Sequence, residues 1–277
     1  MPTLSFVGCG KLGRSLGHLF HRHGVFAPRQ ILTRHSASAA DAARFIGAGQ
    51  AITDPEDLMP ADVFMLAVPD AALEETAERL SRSHVLDNRT TVFHCSGAQS
   101  SALLAPCAEQ GAHIASVHPL LSFADPIQVV RDFHCHCSIE GDAAAVSMLS
   151  LAFGQIGAQV VQIPTEAKLR YHASAVIASN YLVTLMEQAL QTIEGAGLTR
   201  EQGRELLLPL MHQTLGNLDR LEPKDALTGP VARGDWALVE AQQNALDEID
   251  PSLGCFYMVL AKATARLAGK QHPFEDD

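Results

Sequence analysis

Two histidines stand where a proton would be needed. His118-Pro119-Leu120 and His94-Cys95-Ser96-Gly97 each close a short apolar run that reads as a strand. Histidine exchanges a proton near neutral pH, and a hydride moved to or from a carbon bearing oxygen or nitrogen needs such a partner. His118 is the candidate for that role, with Ser96 holding the reacting oxygen. His94 and Cys95 read equally well as buried strand-end residues.

Gly8-Cys9-Gly10-Lys11-Leu12-Gly13 is a GxGxxG between a strand and a helix, the context a dinucleotide site requires. Gly8 makes the tight turn, Gly10 admits a pyrophosphate to the backbone and Gly13 lets helix and strand pack closely. The N–H groups of the helix start, from Lys11 and Leu12 onward, face the anion. A site for NAD usually has an acid at the end of the second strand. Here that end reads Leu32-Thr33-Arg34-His35-Ser36, with no acid before Asp41. Arg34 can grip a 2′-phosphate with its planar fork, which predicts NADP in preference to NAD, with Thr33 and Ser36 beside it. Ser36 serves equally as the cap of the next helix. Val68 and Pro69 end the third core strand and are expected to line the nicotinamide side, with Asp70 capping the helix that follows.

Other candidates lie further along. If the segment Glu166–Glu194 is one helix, Lys168, His172, Val176, Ser179, Val183 and Glu187 fall within about 100° of one another, with Asn180 on the flank. Polar groups in an apolar face suggest a cleft wall, with His172 or Asn180 positioning substrate. They are eight residues apart, about 12 Å of helix axis, and do not easily reach one atom. Arg233, in a loop opened by Gly229-Pro230, can clamp a substrate carboxylate or form a structural ion pair. Asp235 reads as a helix cap. His134-Cys135-His136-Cys137 alternates across a strand, histidines to one face and cysteines to the other, and no third ligand is adjacent, so no metal is expected.

The elements that must hold these residues alternate through the first half. Strands are expected at Thr3–Val7, Gln30–Thr33, Ala61–Val68, Thr91–His94, His113–Val117, Phe133–Glu140 and Gln159–Ile163, with helices at Lys11–His23, Ala37–Ile46, Ala71–Arg82 and Asp142–Phe153. That alternation implies an α/β fold with a mostly parallel, doubly wound sheet. After Pro164 only helical spacing remains: Glu166–Glu194, Arg200–Leu218, Trp236–Glu248 and Leu253–Ala268, with a loop over Leu227–Gly234. Two domains are therefore expected, residues 1–163 binding the nucleotide and 164–277 all-helical, with the active site between them. The tail His272–Asp277 reads as frayed.

Composition narrows the class. The 277 residues carry a net charge of −11, which disfavours nucleic-acid and anionic-membrane partners. No apolar stretch is long enough to span a membrane, the first residues do not read as a secretion signal, and the six cysteines show no disulfide framework. A reduced, cytoplasmic protein with a small-molecule substrate is expected.

Together, Gly8–Gly13, Val68-Pro69-Asp70, His94–Gly97, Ser116-Val117-His118-Pro119-Leu120, Tyr171-His172, Ser179-Asn180-Tyr181 and Thr228–Asp235 resemble the bacterial Rossmann-like family whose C-terminal half is the domain of unknown function 2520. The resemblance implies a Rossmann domain followed by a helical domain of the 6-phosphogluconate-dehydrogenase C-terminal type, NADP binding and oxidoreductase chemistry. The N-terminal half is also similar to pyrroline-5-carboxylate reductases, deazaflavin-dependent NADP reductases and prephenate dehydrogenases. In the last of these a His-Pro after the sixth strand carries a catalytic histidine, and His118-Pro119 matches it. Ser96 loosely matches a serine that contacts the reacting hydroxyl. The expectation is an NADP-dependent oxidoreductase acting on a small, carboxylated metabolite and working as a homodimer. The alternative is a non-catalytic NADP-binding sensor that kept the fold.

Overall fold

The computed structural model describes residues 1–274. One eight-stranded sheet organises the first part of the chain: β1 (Thr3–Val7), β2 (Ala27–Leu32), β3 (Gln50–Ile52), β4 (Val63–Leu66), β5 (Thr91–His94), β6 (His113–Pro119), β7 (Cys135–Gly141) and β8 (Ala158–Gln162). The spatial order is β3-β2-β1-β4-β5-β6-β7-β8. Every neighbouring pair is parallel except β6 and β7. The helices among and after the strands are α1 (Lys11–Arg22), α2 (Ser36–Ile46), α3 (Leu73–Ser81), α4 (Ala105–Ala108), α5 (Pro126–Arg131), α6 (Ala143–Gln155) and α7 (Lys168–Ala178).

The strands are apolar on both faces because both faces are covered. Phe6, Ile31, Met65, Phe93, Ala115 and Val117 enter one core, which includes Phe20 and Phe153. Their strand neighbours Leu32, Phe64, Leu66, Val92 and Ile114 enter the other, with Leu73 and Leu104. Ser116 and His118 follow Ile114 at the two-residue period of a strand, so they share its face. The chain leaves β1 in one direction through β2 and β3, then returns to β4 on the other side of β1. Ligands of open α/β sheets bind at that reversal, beyond the carboxyl ends of the strands.

Two compact units divide the chain, Met1–Val176 and Ile177–Asp277. The first runs on past Pro164 because Lys168 of α7 is buried on a residue of β6. The second unit is helical: α8 (Asn180–Gly195), α9 (Arg200–Leu218), α10 (Pro223–Ala226), α11 (Pro230–Arg233), α12 (Trp236–Asp247) and α13 (Pro251–Ala268). Val231, Val239, Met258, Ala261 and Ala265 form its core.

The single helix expected over Glu166–Glu194 is instead a short 3-10 turn, α7 and α8. The break is at Ser179, whose φ of −117° leaves the helical range; serine and asparagine compete with the backbone for hydrogen bonds and favour helix ends. The common stripe therefore ends at Val176. The strand β3 and the short helices α4, α5 and Pro223–Ala226 were not foreseen, and the Leu227–Gly234 loop contains the single turn α11. Residues 275–277 of the tail expected to fray lie outside the described residues. Among the described residues no helix is long and apolar enough to cross a membrane.

Candidate functional site

The glycine turn has the shape its spacing implies. Gly8 sits at φ +76°, and a β-carbon there would come within 2.6 Å of Val68 Cγ1 and 2.7 Å of the Ala67 carbonyl oxygen. Gly13 faces Ala67 at 2.9 Å, whereas a β-carbon on Gly10 would meet nothing within 4 Å. Gly10 thus borders open space at the start of α1, an end that no side chain caps and no acid enters in its first turn. The residues present fit a pyrophosphate there. Cys9 is buried beneath the turn, and burial pushes its thiol up to about 12; it shapes the loop and is no nucleophile. Leu12 is half-buried, and Lys11 donates to the Ala124 carbonyl at 2.7 Å. Thr33 donates its hydroxyl to the His35 carbonyl at 2.8 Å. Arg34 is exposed and has no ion-pair partner among the described residues. Ser36 is the first helical residue of α2, after the cap position His35, and makes no capping bond. Val68 is half-buried and Pro69 exposed, beside Gly8.

The chemistry-bearing residues sit in rows across three strands. His94 of β5, Ser116 of β6 and Glu140 of β7 lie opposite one another in register. In the next row His118 lies opposite Ser138. Above them, α7 presents Lys168 and His172 one turn apart. The rise of four helical residues, about 6 Å, matches the span of two strand residues, about 6.6 Å. Lys168 therefore meets Ser116 as His172 meets His118. Lys168 Nζ donates to Ser116 Oγ at 2.7 Å, and the His118 and His172 ring centroids are 5.5 Å apart at 80°. Tyr171 also packs edge-on to His118, at 6.0 Å.

Gly97 lies between the two imidazoles. A β-carbon there would be 2.3 Å from His172 Nδ1 and 2.8 Å from His118 Nε2. The absence of a side chain lets both rings converge on one spot at the carboxyl ends of β5 and β6. His118 Nδ1 and His172 Nδ1 are buried with no hydrogen-bond partner, a condition that native structures seldom tolerate without a role. Burial, with the Lys168 charge behind it, pushes His118 down to about 4. It pushes His94 to about 4 as well, and that ring is held between the Ser100 carbonyl and the Ser96 N–H. At neutral pH His118 and His94 are uncharged.

Ser96 is more occupied than its position suggested. Its hydroxyl donates to Asp70 Oδ2 at 2.7 Å and accepts from the Ala98 and Gln99 N–H groups. It fixes the turn carrying Gly97. Asp70 accordingly anchors Ser96 and is not a helix cap; Pro69 holds the cap position of the 3-10 turn that follows. Asn180 and Arg233 belong to the second unit. Asn180 is exposed at the start of α8. Arg233 is exposed and without an ion pair among the described residues, while Asp235 caps α12 as expected, accepting from the Leu238 N–H. In β7, Cys135 and Cys137 are buried and His136 is exposed, the sidedness expected of that run.

The sequence places Lys168 in a helical stripe and Gly97 in a strand-end motif without assigning a role to either, and Glu140 is not among its candidates. Glu140 is 1% exposed and accepts from the Ser101 N–H and hydroxyl and from the Thr165 hydroxyl. Its only early signal was a charged residue at the end of an otherwise buried strand.

A mostly parallel sheet with a glycine turn at its reversal and an uncapped helix behind it defines a Rossmann-like fold. Residues 3–119 match the Rossmann-like domain and residues 135–264 match DUF2520, a domain of unknown function; the chain pairs these two domains. Among solved structures, protein TM1727 from Thermotoga maritima is 27% identical, with a TM-score of 0.76 over 96% of this chain and 98% of that one. An imine reductase from Myxococcus stipitatus in complex with NADP+ is 15% identical, with a TM-score of 0.72 over 97% and 96%. A reductive aminase from Aspergillus terreus, in complex with NADPH4, cyclohexanone and allyl amine, is 15% identical with a TM-score of 0.71 over 98% and 96%. The last two likenesses are of fold. No curated protein matches the chain.

Proposed function

We propose that this chain is an NADP-dependent oxidoreductase that moves a hydride between the nicotinamide and a small alcohol, carbonyl or imine. The observation that carries the reading is the convergence of His118 Nε2 and His172 Nδ1 on Gly97, beyond the strand ends where a Rossmann ligand lies. The imine reductase and reductive aminase, with NADP+ and NADPH4 in their complexes, support it through their common fold. When bound, NADP supplies or accepts the hydride. Gly8, Gly10, Gly13 and the first turn of α1 hold its pyrophosphate, and Arg34 holds the 2′-phosphate. Val68 and Pro69 lie along the nicotinamide side. His118 exchanges the proton at Nε2, His172 orients the reacting oxygen or nitrogen, and Ser96 keeps the turn between them in place. Asn180 and Arg233 serve substrate binding, Arg233 toward a carboxylate.

The helical unit, of the 6-phosphogluconate-dehydrogenase C-terminal type in this reading, assembles the protein as a homodimer. Free thiols throughout support a reducing, cytoplasmic setting. The test is a panel of alcohols, carbonyls and imines followed at the nicotinamide absorbance. At least one should be turned over with NADP(H). If none is, and NADPH still binds, the non-catalytic sensor takes its place.

A further inference from the structure

We infer that Glu140 and Lys168 are positioning residues: their buried ion pair docks α7 on the sheet at the depth that sets His172 against His118 and Gly97. The inference rests on reading those two histidines as the reacting site. Among the 11 residues of α7 only Lys168, the first of them, is buried. The helix also carries Tyr171 and His172, yet its large apolar side chains Leu169 and Ile177 are exposed. What anchors it to the sheet is therefore polar. Lys168 Nζ donates to Ser116 Oγ of β6 at 2.7 Å, with the Glu140 carboxylate of β7 at 4.0 Å. The two side chains of the pair are 2% and 1% exposed.

Glu140 joins that anchor to the opposite wall of the site. Its Oε1 accepts from the Ser101 N–H at 2.7 Å and its Oε2 from the Ser101 hydroxyl at 2.6 Å, just past the turn that carries Gly97. Oε2 also accepts from the Thr165 hydroxyl at 2.9 Å, three residues before Lys168. One carboxylate thus holds both the end of the Gly97 turn and the start of the helix that bears His172. The fit between those walls is close, because a β-carbon on Gly97 would collide with His172 Nδ1. A slip of one residue along α7 would shift its side chains by about 1.5 Å and turn them by about 100°. Apolar contact is non-directional and would permit such a slip. Hydrogen bonds weaken steeply off their axis and oppose it. Stability alone does not account for the pair, since well-packed apolar residues often hold a fold as well or better in its place.

The test is NMR on the full chain with labelled histidine rings, without cofactor or substrate. A wild type that turns over no metabolite would sink the oxidoreductase reading and leave this comparison intact. The His118 and His172 signals are those lost in His118→Gln and His172→Gln. Their ring centroids are 5.5 Å apart, so the ring protons should share a nuclear Overhauser cross-peak. Lys168→Met combined with Glu140→Gln removes both charges with little change of size. That protein should melt at or above the wild-type temperature and lose the cross-peak. Should it fail to fold, Ser116→Ala removes the acceptor of Lys168 while leaving the charges paired. Amide exchange in α7 should then quicken by about two- to tenfold, the worth of one hydrogen bond, with the sheet unchanged. A folded double variant with the cross-peak at wild-type strength would overturn the inference. So would loss of the cross-peak together with a general fall in melting temperature, or α7 amides in Ser116→Ala that exchange at the wild-type rate.

Discussion

Gly97 shows how a missing side chain can build a site. Its α-carbon is flanked by His172 Nδ1 and His118 Nε2 so closely that a methyl group would collide with both. Overpacking of this kind typically costs 1–3 kcal/mol. Gly97→Ala should lower the melting temperature by several degrees and abolish turnover by pushing the rings apart; a variant with wild-type melting and activity would show that the rings move freely.

His94 makes a separate prediction. Its folded value is near 4 and its unfolded value near 6.5, so the unfolded chain binds the extra proton between those limits. Its contribution is intact above about pH 6.5 and is lost as pH falls through the window toward 4. At 1.36 kcal/mol per unit the loss approaches roughly 3 kcal/mol for this fully buried ring. Urea unfolding at pH 7.5 and pH 5 should show the decline, and His94→Gln should reduce it, with His118, depressed likewise by burial, supplying a share of the remainder. An equal decline in the variant would assign the acid sensitivity elsewhere.

At the scale of elements, register and helix phase decide which residues meet. The glycine turn and the strand-end histidines were legible because strand–turn–helix is a local pattern. Lys168 was not: its place in a helical stripe was visible, but a helix lysine normally reaches solvent. Its burial depends on β7 running antiparallel to β6 and setting Glu140 opposite Ser116. Alternation along a strand is the same in either direction, so nothing local announces that reversal. The Ser96–Asp70 bond likewise spans 26 residues. The break at Ser179 was missed because apolar spacing continues across it.

The second unit carries the prediction about assembly. Helix α8 buries only Leu190 and α9 only Gly203, while Val183, Leu206 and Leu210 are 71%, 59% and 57% exposed. The homodimer proposed above would cover these apolar side chains. Light scattering should give about twice the 29.7 kDa chain mass, and Leu206→Glu with Leu210→Glu should reduce it to that of one chain. A monomeric wild type at micromolar concentration would contradict the homodimer.

For the whole molecule, net charge −11 leaves a phosphorylated cofactor dependent on local donors. Arg34 is the donor at the second strand's end, and it has no partner to compete for it among the described residues. Calorimetry should give NADPH several-fold tighter binding than NADH, with Arg34→Ala erasing the difference; equal affinities in the wild type would remove the basis for an NADP preference.

In the proposed reaction His118 exchanges the proton that accompanies hydride transfer. General acid–base help is worth ~10²–10⁴-fold in rate. The most direct measurement is turnover of an identified substrate by the wild type and His118→Ala, with NADPH affinity and melting temperature taken on the same samples. A loss of that size is expected, with binding and melting nearly unchanged. A His118→Ala protein that turns over at the wild-type rate, or one that loses only its stability, would contradict it.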